Sequence, residues 1–192
     1  MIEVLTRRPI VVALAGPNGA GKSSFYRAYL RPSGLRFVNA DVLSRDLQVD
    51  AYQAAKVADG LRRQLVGQRE SFIFETVFSD PVGDKLSVLK KAESIGYTVV
   101  LFFIGIGSPQ VSDERVAMRV SKGGHDVPAA KVVERFPRVM HNLQRALNEL
   151  SNVRVYDNSD LTRPYRLVAT REDARDLKLY RPIPAWLHPL LP

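Results

Sequence analysis

Residues 16–23 constrain the fold of this chain more than any other segment, because they match the phosphate-loop pattern GxxxxGKS. The preceding run, Ile10 to Ala15, is apolar and rich in β-branched residues, which predicts a buried parallel strand. The following residues, Ser23 to Leu30, predict a helix start. Strand, glycine-rich turn and helix form the context in which this motif holds phosphate. The sequence therefore predicts a nucleoside triphosphate site.

The chemistry of bound phosphate suggests roles for the loop residues. Glycines let backbone N–H groups point at phosphate oxygens, and the helix dipole adds to the attraction. We expect Lys22 to contact the β- and γ-phosphates of ATP or GTP, and the Ser23 hydroxyl to ligate Mg²⁺. The predicted nucleotide-binding residues are Gly16, Pro17, Asn18, Gly19, Ala20, Gly21, Lys22, Ser23 and Ser24.

Strands alternate with helices along the rest of the chain. This alternation predicts an α/β, three-layer P-loop NTPase fold, with a mainly parallel five-stranded sheet flanked by helices. The most hydrophobic strand, 97–106, is expected at its centre, and residues 166–170 are a candidate edge strand. Asp80 and Pro81 are expected to start a helix. The other predicted strands are residues 35–40, 71–78 and 153–156.

The predicted domain organisation is simple. Residues 1–180 are expected to form a single P-loop domain. Residues 181–192 form a proline-rich tail, whose Trp186 and leucines could dock on the domain or on a partner. Docking on the domain is the favoured interpretation.

Composition restricts the classes of function. The chain contains no cysteine, which excludes disulfides, thiolate metal sites and a thiol nucleophile, and which fits a reducing cytoplasm. The net charge of +8 favours anionic partners, whether nucleotides, nucleic acid or an acidic protein. No apolar run approaches the roughly 20 residues that a membrane-spanning helix needs. We therefore expect a cytoplasmic protein that has no membrane partner.

Two carboxylates are the candidate groups on the acceptor side of the phosphates. Ligands of parallel sheets bind at the carboxyl ends of the strands, where Asp41 and Glu75 fall. Asp41 is the favoured base for an acceptor hydroxyl, with a helix cap as the structural alternative. Glu75 could hold the acceptor, tune a metal-bound water or serve as the base instead. Thr76 could bond the acceptor or fill the strand, and residues 157–159 could contact the nucleotide base or form a polar turn.

A basic segment over residues 113–140 is the predicted lid. Arg115 and Arg119 are four residues apart and share one helix face. Arg135 lies on the next helix, after a Gly-Gly pair that would supply a flexible joint. Cations on such a lid can stabilise the charge of a transferring phosphoryl group, although a solvated basic face is the alternative.

Taken together, these motifs resemble the short zeta-toxin-like kinases of bacteria. The similarity extends from about residue 9 to residue 159 and rests on four segments: GPNGAGKSS, Asn39-Ala40-Asp41 with Arg45, Phe74-Glu75-Thr76, and Arg115 to Arg119 followed by GGHDVP. Members of that family transfer the γ-phosphate of ATP to the 3′-hydroxyl of the amino sugar in UDP-N-acetylglucosamine. A small antitoxin holds them in check.

The resemblance implies a role for each matching residue. Asp41 would be the base, Glu75 and Thr76 would contact the sugar nucleotide, and Arg119 would stabilise the transferring phosphoryl group. Longer zeta toxins place a second catalytic arginine just before a lid proline. Here either His125 or Arg135 would supply that charge. The predicted catalytic residues are Asp41, Lys22, Arg119 and Arg135. The predicted substrate-binding residues are Arg45, Glu75, Thr76, Arg115 and His125.

The sequence therefore predicts an ATP-dependent kinase that acts on a UDP-N-acetylglucosamine-like nucleotide sugar. Its expected partners are the nucleotide triphosphate, a small hydroxyl-bearing substrate and an antitoxin, whereas nucleic acid is not expected. An antibiotic or nucleoside kinase and a polynucleotide 5′-hydroxyl kinase are the alternatives within the kinases. From another class, a nucleotide-gated binding module without transfer activity is a further alternative. Two carboxylates on the acceptor side argue against such a module.

Overall fold

The computed structural model describes residues 3–121 and 127–192. Within these residues, seven strands, β1 to β7 in chain order, span Ile10–Ala15, Arg36–Val38, Phe72–Thr76, Thr98–Gly105, Val153–Asp157, Arg166–Arg171 and Lys178–Leu179. The described residues also contain six α-helices, α1 to α6, which span Lys22–Phe25, Ala40–Leu47, Ala51–Gly67, Asp84–Ser94, Pro109–Val120 and Ala129–Glu149. A π-helical turn, Tyr26–Leu30, continues α1.

The strands described above form one sheet in the order β2-β3-β1-β4-β5-β6-β7. The first five strands in this order, β2, β3, β1, β4 and β5, are parallel. Strands β6 and β7 pair antiparallel at one edge. The prediction of a mainly parallel sheet flanked by helices is confirmed, but the number of five strands is wrong, because the described sheet has seven. Strand β7 has only two residues, both exposed, so its sequence carries no strand pattern. Strand β4, the most hydrophobic, is the central strand.

Each face of the sheet carries its own hydrophobic core. Val11 of β1 points into the core beneath α3, α4 and α6, and its neighbour Val12 points into the core beneath α1. All six residues of β1 are buried, because helices cover both faces. The residues before the phosphate loop are therefore apolar because both faces of β1 are covered. No helix in the described part of the chain has the length and hydropathy of a membrane span.

Two helix boundaries differ from prediction. Helix α4 begins at Asp84 rather than at residues 80–81, because Gly83 is its N-cap and the Asp80 carboxylate accepts a bond from the Lys85 amide. Helix α2 was not predicted. Its N-cap is Asn39, whose side chain accepts a bond of 3.0 Å from the amide of Val42. Asp41 therefore lies in the first turn of α2, and the interpretation of Asp41 as the helix cap is wrong.

The C-terminal tail packs on the carboxyl end of the sheet. The Trp186 indole donates a hydrogen bond of 3.0 Å to Asp157 at the end of β5, and Leu187 is fully buried. The indole lies over Gly105 so closely that a Cβ atom there would be 2.2 Å from the ring. A side chain at position 105 would therefore displace the tail.

Candidate nucleotide and acceptor site

The phosphate loop joins β1 to α1 and depends on glycine at both ends. Gly16 has φ of 143° and Gly21 has φ of 91°, a region of backbone space that favours glycine. A Cβ atom at Gly16 would lie 2.2 Å from the carbonyl oxygen of Ile104 on the neighbouring strand. The sequence pattern thus reflects both backbone conformation and close packing against β4.

Side chains from distant parts of the chain hold this loop in shape. Ser112 on α5 donates a hydrogen bond of 2.6 Å to the carbonyl of Asn18. Asn158, just after β5, donates one of 2.8 Å to the carbonyl of Ala20, and the Tyr165 hydroxyl donates one of 3.0 Å to that of Gly21. The loop carbonyls are therefore bound on the protein side. The first N–H groups of a helix lack the usual intrahelical partner. In α1 the amide of Ser24 bonds the carbonyl of Gly21 at 3.1 Å, which leaves the amides of Lys22 and Ser23 as the candidates for an anion.

Lys22 is largely buried at the start of α1. Its ammonium donates bonds of 2.9 and 3.0 Å to the carbonyls of Gly16 and Pro17, and lies 3.9 Å from Oε1 of Glu75. Burial lowers the pKa of Lys22, and the charges of Glu75 and Asp41 oppose that shift, whereas the positive charge of Arg119 adds to it. Three predicted site residues therefore act electrostatically on the phosphate-loop lysine.

Glu75 lies between the phosphate loop and the start of α2. Its Oε2 accepts hydrogen bonds of 2.9 Å from the Asn39 side chain and 3.3 Å from the Ser23 hydroxyl. Asn39 thus caps α2 with its oxygen and fixes Glu75 with its nitrogen, a role that sequence reasoning missed. The signal was available, because asparagine is a favoured N-cap residue.

The oxygen atoms of Ser23 and Glu75 suit a hard divalent cation. Mg²⁺ prefers oxygen ligands and usually takes only one or two from the protein, with phosphates and water completing the octahedron. In residues 3–121 and 127–192, no group of three or more histidine, cysteine or acidic side chains could form an all-protein metal site. The donor set therefore fits a magnesium ion bound together with nucleotide phosphates.

One cavity of about 200 Å³ brings the acceptor-side candidates together with Lys22. Its walls include Lys22, Asp41, Glu75 and Thr76, and Asp41 is exposed. The Thr76 hydroxyl accepts a bond of 3.1 Å from the amide of Phe78. Arg45 does not line the cavity. Its guanidinium lies 3.5 Å from Asp46 on the exposed side of α2.

The same cavity is also lined by a charged cluster that sequence reasoning missed, consisting of Asp59 and Arg62 on α3 with Lys85 on α4. Lys85 Nζ lies 2.9 Å from Oδ1 of Asp59, and Arg62 pairs with that same oxygen. Asp59 and Arg62 are three residues apart and so share a helix face. That spacing was a signal for the pair on α3, but not for Lys85, which the fold brings from another helix.

The predicted lid arginines occupy different positions. Arg119 lies on the exposed surface near the end of α5, and its charge reaches Lys22. Arg115 instead donates bonds of 2.6 and 2.9 Å to the carbonyls of Asn158 and Ser159, which ties α5 to the end of β5. Arg135 is half-buried on α6. His125 and the Gly-Gly pair lie outside the described residues.

Comparison with protein families gives one match to this chain. A model described as Zeta toxin matches residues 45–168, nearly two thirds of the sequence. The matched stretch contains Glu75 and Arg119, and begins after the phosphate loop and Asp41. Comparison with curated protein sequences gives no significant match.

Solved structures share the fold. The AvrRxo1-ORF1:-ORF2 crystal structure with ATP matches with a TM-score of 0.71 and 20% identity over 92% of this chain and 63% of that chain. The PezAT toxin–antitoxin system of Streptococcus pneumoniae matches with a TM-score of 0.56 and 16% identity, over 79% of this chain and 69% of that chain. A putative kinase from Chloroflexus aurantiacus matches with a TM-score of 0.57 and 15% identity, over 82% of this chain and 92% of that chain. This chain spans less than two thirds of the AvrRxo1 chain that it matches. At these identities the similarity shows the fold alone.

Proposed function

This chain belongs to the zeta toxin family, and on that premise we propose that it is a kinase that transfers the γ-phosphate of ATP, or GTP, to a hydroxyl of a small acceptor. The observation that carries the proposal is that Lys22, Asp41 and Glu75 line one and the same cavity. Phosphoryl transfer needs a phosphate cradle and a group that receives the acceptor's proton. This cavity joins both.

The nucleotide half of the reaction rests on the phosphate loop. Bound phosphates replace the carbonyls of Gly16 and Pro17 as partners of the Lys22 ammonium, and the N–H groups at the start of α1 bind the phosphate oxygens. Ser23, with Glu75 beside it, would hold Mg²⁺. When bound, this ion neutralises charge that develops on the β- and γ-phosphate oxygens.

The acceptor half rests on the two carboxylates. The oxygen of the acceptor hydroxyl forms a bond to the γ-phosphorus, while Asp41 accepts the proton of that hydroxyl. The bond between the γ-phosphorus and the β–γ bridging oxygen breaks, and ADP leaves with that oxygen. Glu75 is fixed by Asn39 and Ser23 and therefore serves to orient the groups around the transfer. We assign the role of base to Asp41 because it is exposed in the cavity, whereas hydrogen bonds already occupy Glu75.

The lid supplies positive charge. Arg119 acts on Lys22 electrostatically, so its charge also reaches a phosphoryl group held by that lysine. Arg135, or His125, would add a second positive charge to the site. An arginine of this kind contributes on the order of 10³-fold or more to the rate. Arg115 acts differently, since it braces the segment that holds the phosphate loop.

The finer assignments follow the family. We propose a nucleotide sugar of the UDP-N-acetylglucosamine type as the acceptor and a small antitoxin as the protein partner. Residues 1–180 would form the kinase domain, with 181–192 as its docked tail. We propose the cytoplasm as the site of the activity, which the need for ATP and a sequence without cysteine support.

One reaction tests this proposal. Purified protein is incubated with Mg²⁺, ATP and UDP-N-acetylglucosamine, and mass spectrometry is used to detect one added phosphate on the sugar nucleotide. We expect that product, and we expect Asp41→Ala to abolish it while calorimetry shows nearly unchanged ATP affinity. Asp46→Ala, on the exposed side of the same helix, is the matched control.

Other outcomes are equally informative. ATP binding without a phosphorylated sugar nucleotide would reject this acceptor, and the screen would move to nucleosides, antibiotics and oligonucleotide 5′ ends. ATP binding without transfer to any hydroxyl would favour a nucleotide-gated module. Loss of ATP binding in Asp41→Ala would make Asp41 a metal or structural residue and overturn its role as the base.

A further inference from the structure

We propose that Arg62 and Lys85 form an oxyanion subsite in the acceptor cavity, and that the natural acceptor carries a phosphate or carboxylate group which this subsite binds. The inference rests on the proposed function for the identity of the cavity as the acceptor site. It adds the group of the acceptor that the cavity recognises, an oxyanion, and names two residues that bind it.

The charges that line the cavity are separated into two clusters. Lys22, Asp41 and Glu75 form one cluster at the phosphate loop, in which two carboxylates accompany one cation. Asp59, Arg62 and Lys85 form the other, in which two cations accompany one carboxylate. An acceptor with a hydroxyl at one end and a negative charge at the other matches this polarity.

The two cations of the second cluster share a single oxygen atom. Lys85 Nζ lies 2.9 Å from Oδ1 of Asp59, and Arg62 also pairs with that oxygen. The charges of Asp80 and Asp84 also act on Lys85, but neither residue lines the cavity. Among the residues that line the cavity, this cluster therefore carries one more positive than negative charge.

Arg62 is held in a fixed position before any ligand arrives. Its guanidinium lies 5.1 Å from the centroid of the Phe74 ring, and its side chain is only 11% exposed. Burial lowers the pKa of Arg62 to about 10, and the neighbouring charge of Arg63 acts in the same direction. Burial and the charge of Arg62 also lower the pKa of Lys85. A bound oxyanion would relieve both the desolvation and the mutual repulsion.

The arrangement also orients the acceptor. Successive residues of a strand point to opposite faces, so Phe74, beneath Arg62, points into the core under α3 and α4, whereas Glu75 points toward the phosphate loop. An acceptor that placed its anion beside Asp41 and Glu75 would meet like charges. Binding of the anion at Arg62 and Lys85 therefore leaves the hydroxyl end of the acceptor for the carboxylates.

Calorimetry on the full chain tests the subsite without requiring transfer. The phosphate loop is first filled with Mg²⁺ and a non-hydrolysable ATP analogue, so that the probes cannot bind there. The probes are N-acetylglucosamine, its 1-phosphate, UDP-N-acetylglucosamine and glucuronate. We expect the anionic probes to bind at least about tenfold more tightly than the neutral sugar, the usual strength of a charge-assisted hydrogen bond. Preference for the phosphates or for glucuronate identifies the oxyanion.

Charge-removing variants assign the effect to the two residues. Arg62→Gln and Lys85→Gln should each lower the affinity for the preferred anion about tenfold or more and leave that for N-acetylglucosamine unchanged. Arg62→Lys should retain part of the affinity for the anion, because lysine keeps the positive charge. Lys90→Gln, which removes a charge from α4 outside the cavity, is the matched control. Urea unfolding checks the fold of each variant. Lys85, whose side chain is 27% exposed against 11% for Arg62, provides the test if Arg62→Gln is unstable.

The failure of this proposal differs from the failure of the kinase assignment. The subsite is overturned if anionic probes bind no better than the neutral sugar, or if both glutamine variants bind them as the native protein does. The kinase assignment fails if no hydroxyl is phosphorylated although anion binding depends on Arg62 and Lys85. In that second case the subsite stands as a ligand site of a non-transferring protein.

Discussion

The ammonium nitrogen of Lys22 lies 3.9 Å from Oε1 of Glu75, and the two side chains are 7% and 12% exposed. A phosphate-binding lysine and an acceptor-side carboxylate thus form one nearly buried ion pair. A charge in such a position is stable only with a partner. Nucleotide phosphates would supply a second anion to Lys22, so the role of Glu75 changes when the nucleotide binds.

Replacement of Glu75 by glutamine tests this relationship. The amide keeps an oxygen for the Asn39 and Ser23 hydrogen bonds but removes the negative charge. We expect phosphate transfer to fall at least about 100-fold, as for loss of a general acid–base or positioning group. ATP affinity measured without Mg²⁺ should stay level or rise, because a carboxylate near the phosphates is gone. Single-turnover assays and calorimetry measure the two effects, with the exposed Glu70→Gln as control. Unchanged transfer would remove Glu75 from the site.

Replacement of Lys22 by methionine tests the nucleotide half. Methionine retains the length and the apolar stem of the side chain but cannot bind phosphate. We expect ATP affinity to fall about tenfold or more, because charge-assisted bonds to phosphate are lost. Calorimetry measures the change, and Lys91→Met on the exposed side of α4 controls for the loss of one surface cation. Native affinity in the Lys22 variant would mean that the nucleotide binds elsewhere.

Replacement of Asn158 by alanine tests the bracing of the phosphate loop. This positioning residue has its side chain 2.8 Å from the carbonyl of Ala20 and does not reach the reacting atoms. Loss of one such bond costs about 1 kcal/mol, or severalfold in ATP affinity. We expect KM for ATP to rise severalfold and kcat to change less. Asn148→Ala, on the exposed side of α6, should behave as the native protein. Equal losses in kcat and kcat/KM would indicate direct contact with the transition state instead.

Much of the fold could be predicted because its signals are local. The apolar run of β1 and the glycines of the loop identify a strand, a turn and a helix from contiguous residues. The positions of Asp41 and Glu75 at strand ends followed from the rule for parallel sheets. Strand β7 is too short and exposed to leave such a signal. Helix α2 depended on recognising Asn39 as its cap.

The remaining parts of the site depend on contacts between distant residues. Arg115 was expected to face the substrate, yet it bonds carbonyls 43 and 44 residues away, which no spacing within α5 reveals. The Asp59 cluster joins α3 to α4 across 26 residues. In both cases the helix face could be predicted but not its partner, because packing of separate elements decides what that face meets.

Asp157 links the tail to the sheet and provides a measure of tail docking. The residue is 8% exposed, and its side chain accepts bonds from Ser159, Trp186 and Arg166. Burial alone would raise the pKa of Asp157, but these hydrogen bonds together outweigh burial and lower it. The folded protein therefore holds the charged carboxylate more favourably than the unfolded chain does.

Stability should consequently depend on pH in part through Asp157. Because its folded pKa lies below the unfolded value, the unfolded chain binds more protons in acid. The stabilisation is therefore complete above the unfolded pKa of about 3.9 and is lost as pH falls through the lower folded pKa.

Replacement of Asp157 by asparagine should lower the free energy of unfolding by about 2 kcal/mol at neutral pH, the scale of hydrogen bonds to a charged group. The difference from the native protein should shrink below about pH 4. Urea unfolding followed by the fluorescence of Trp186, the single tryptophan, measures this directly. Asp176→Asn is the exposed control, and a difference that stays constant with pH would contradict the assignment.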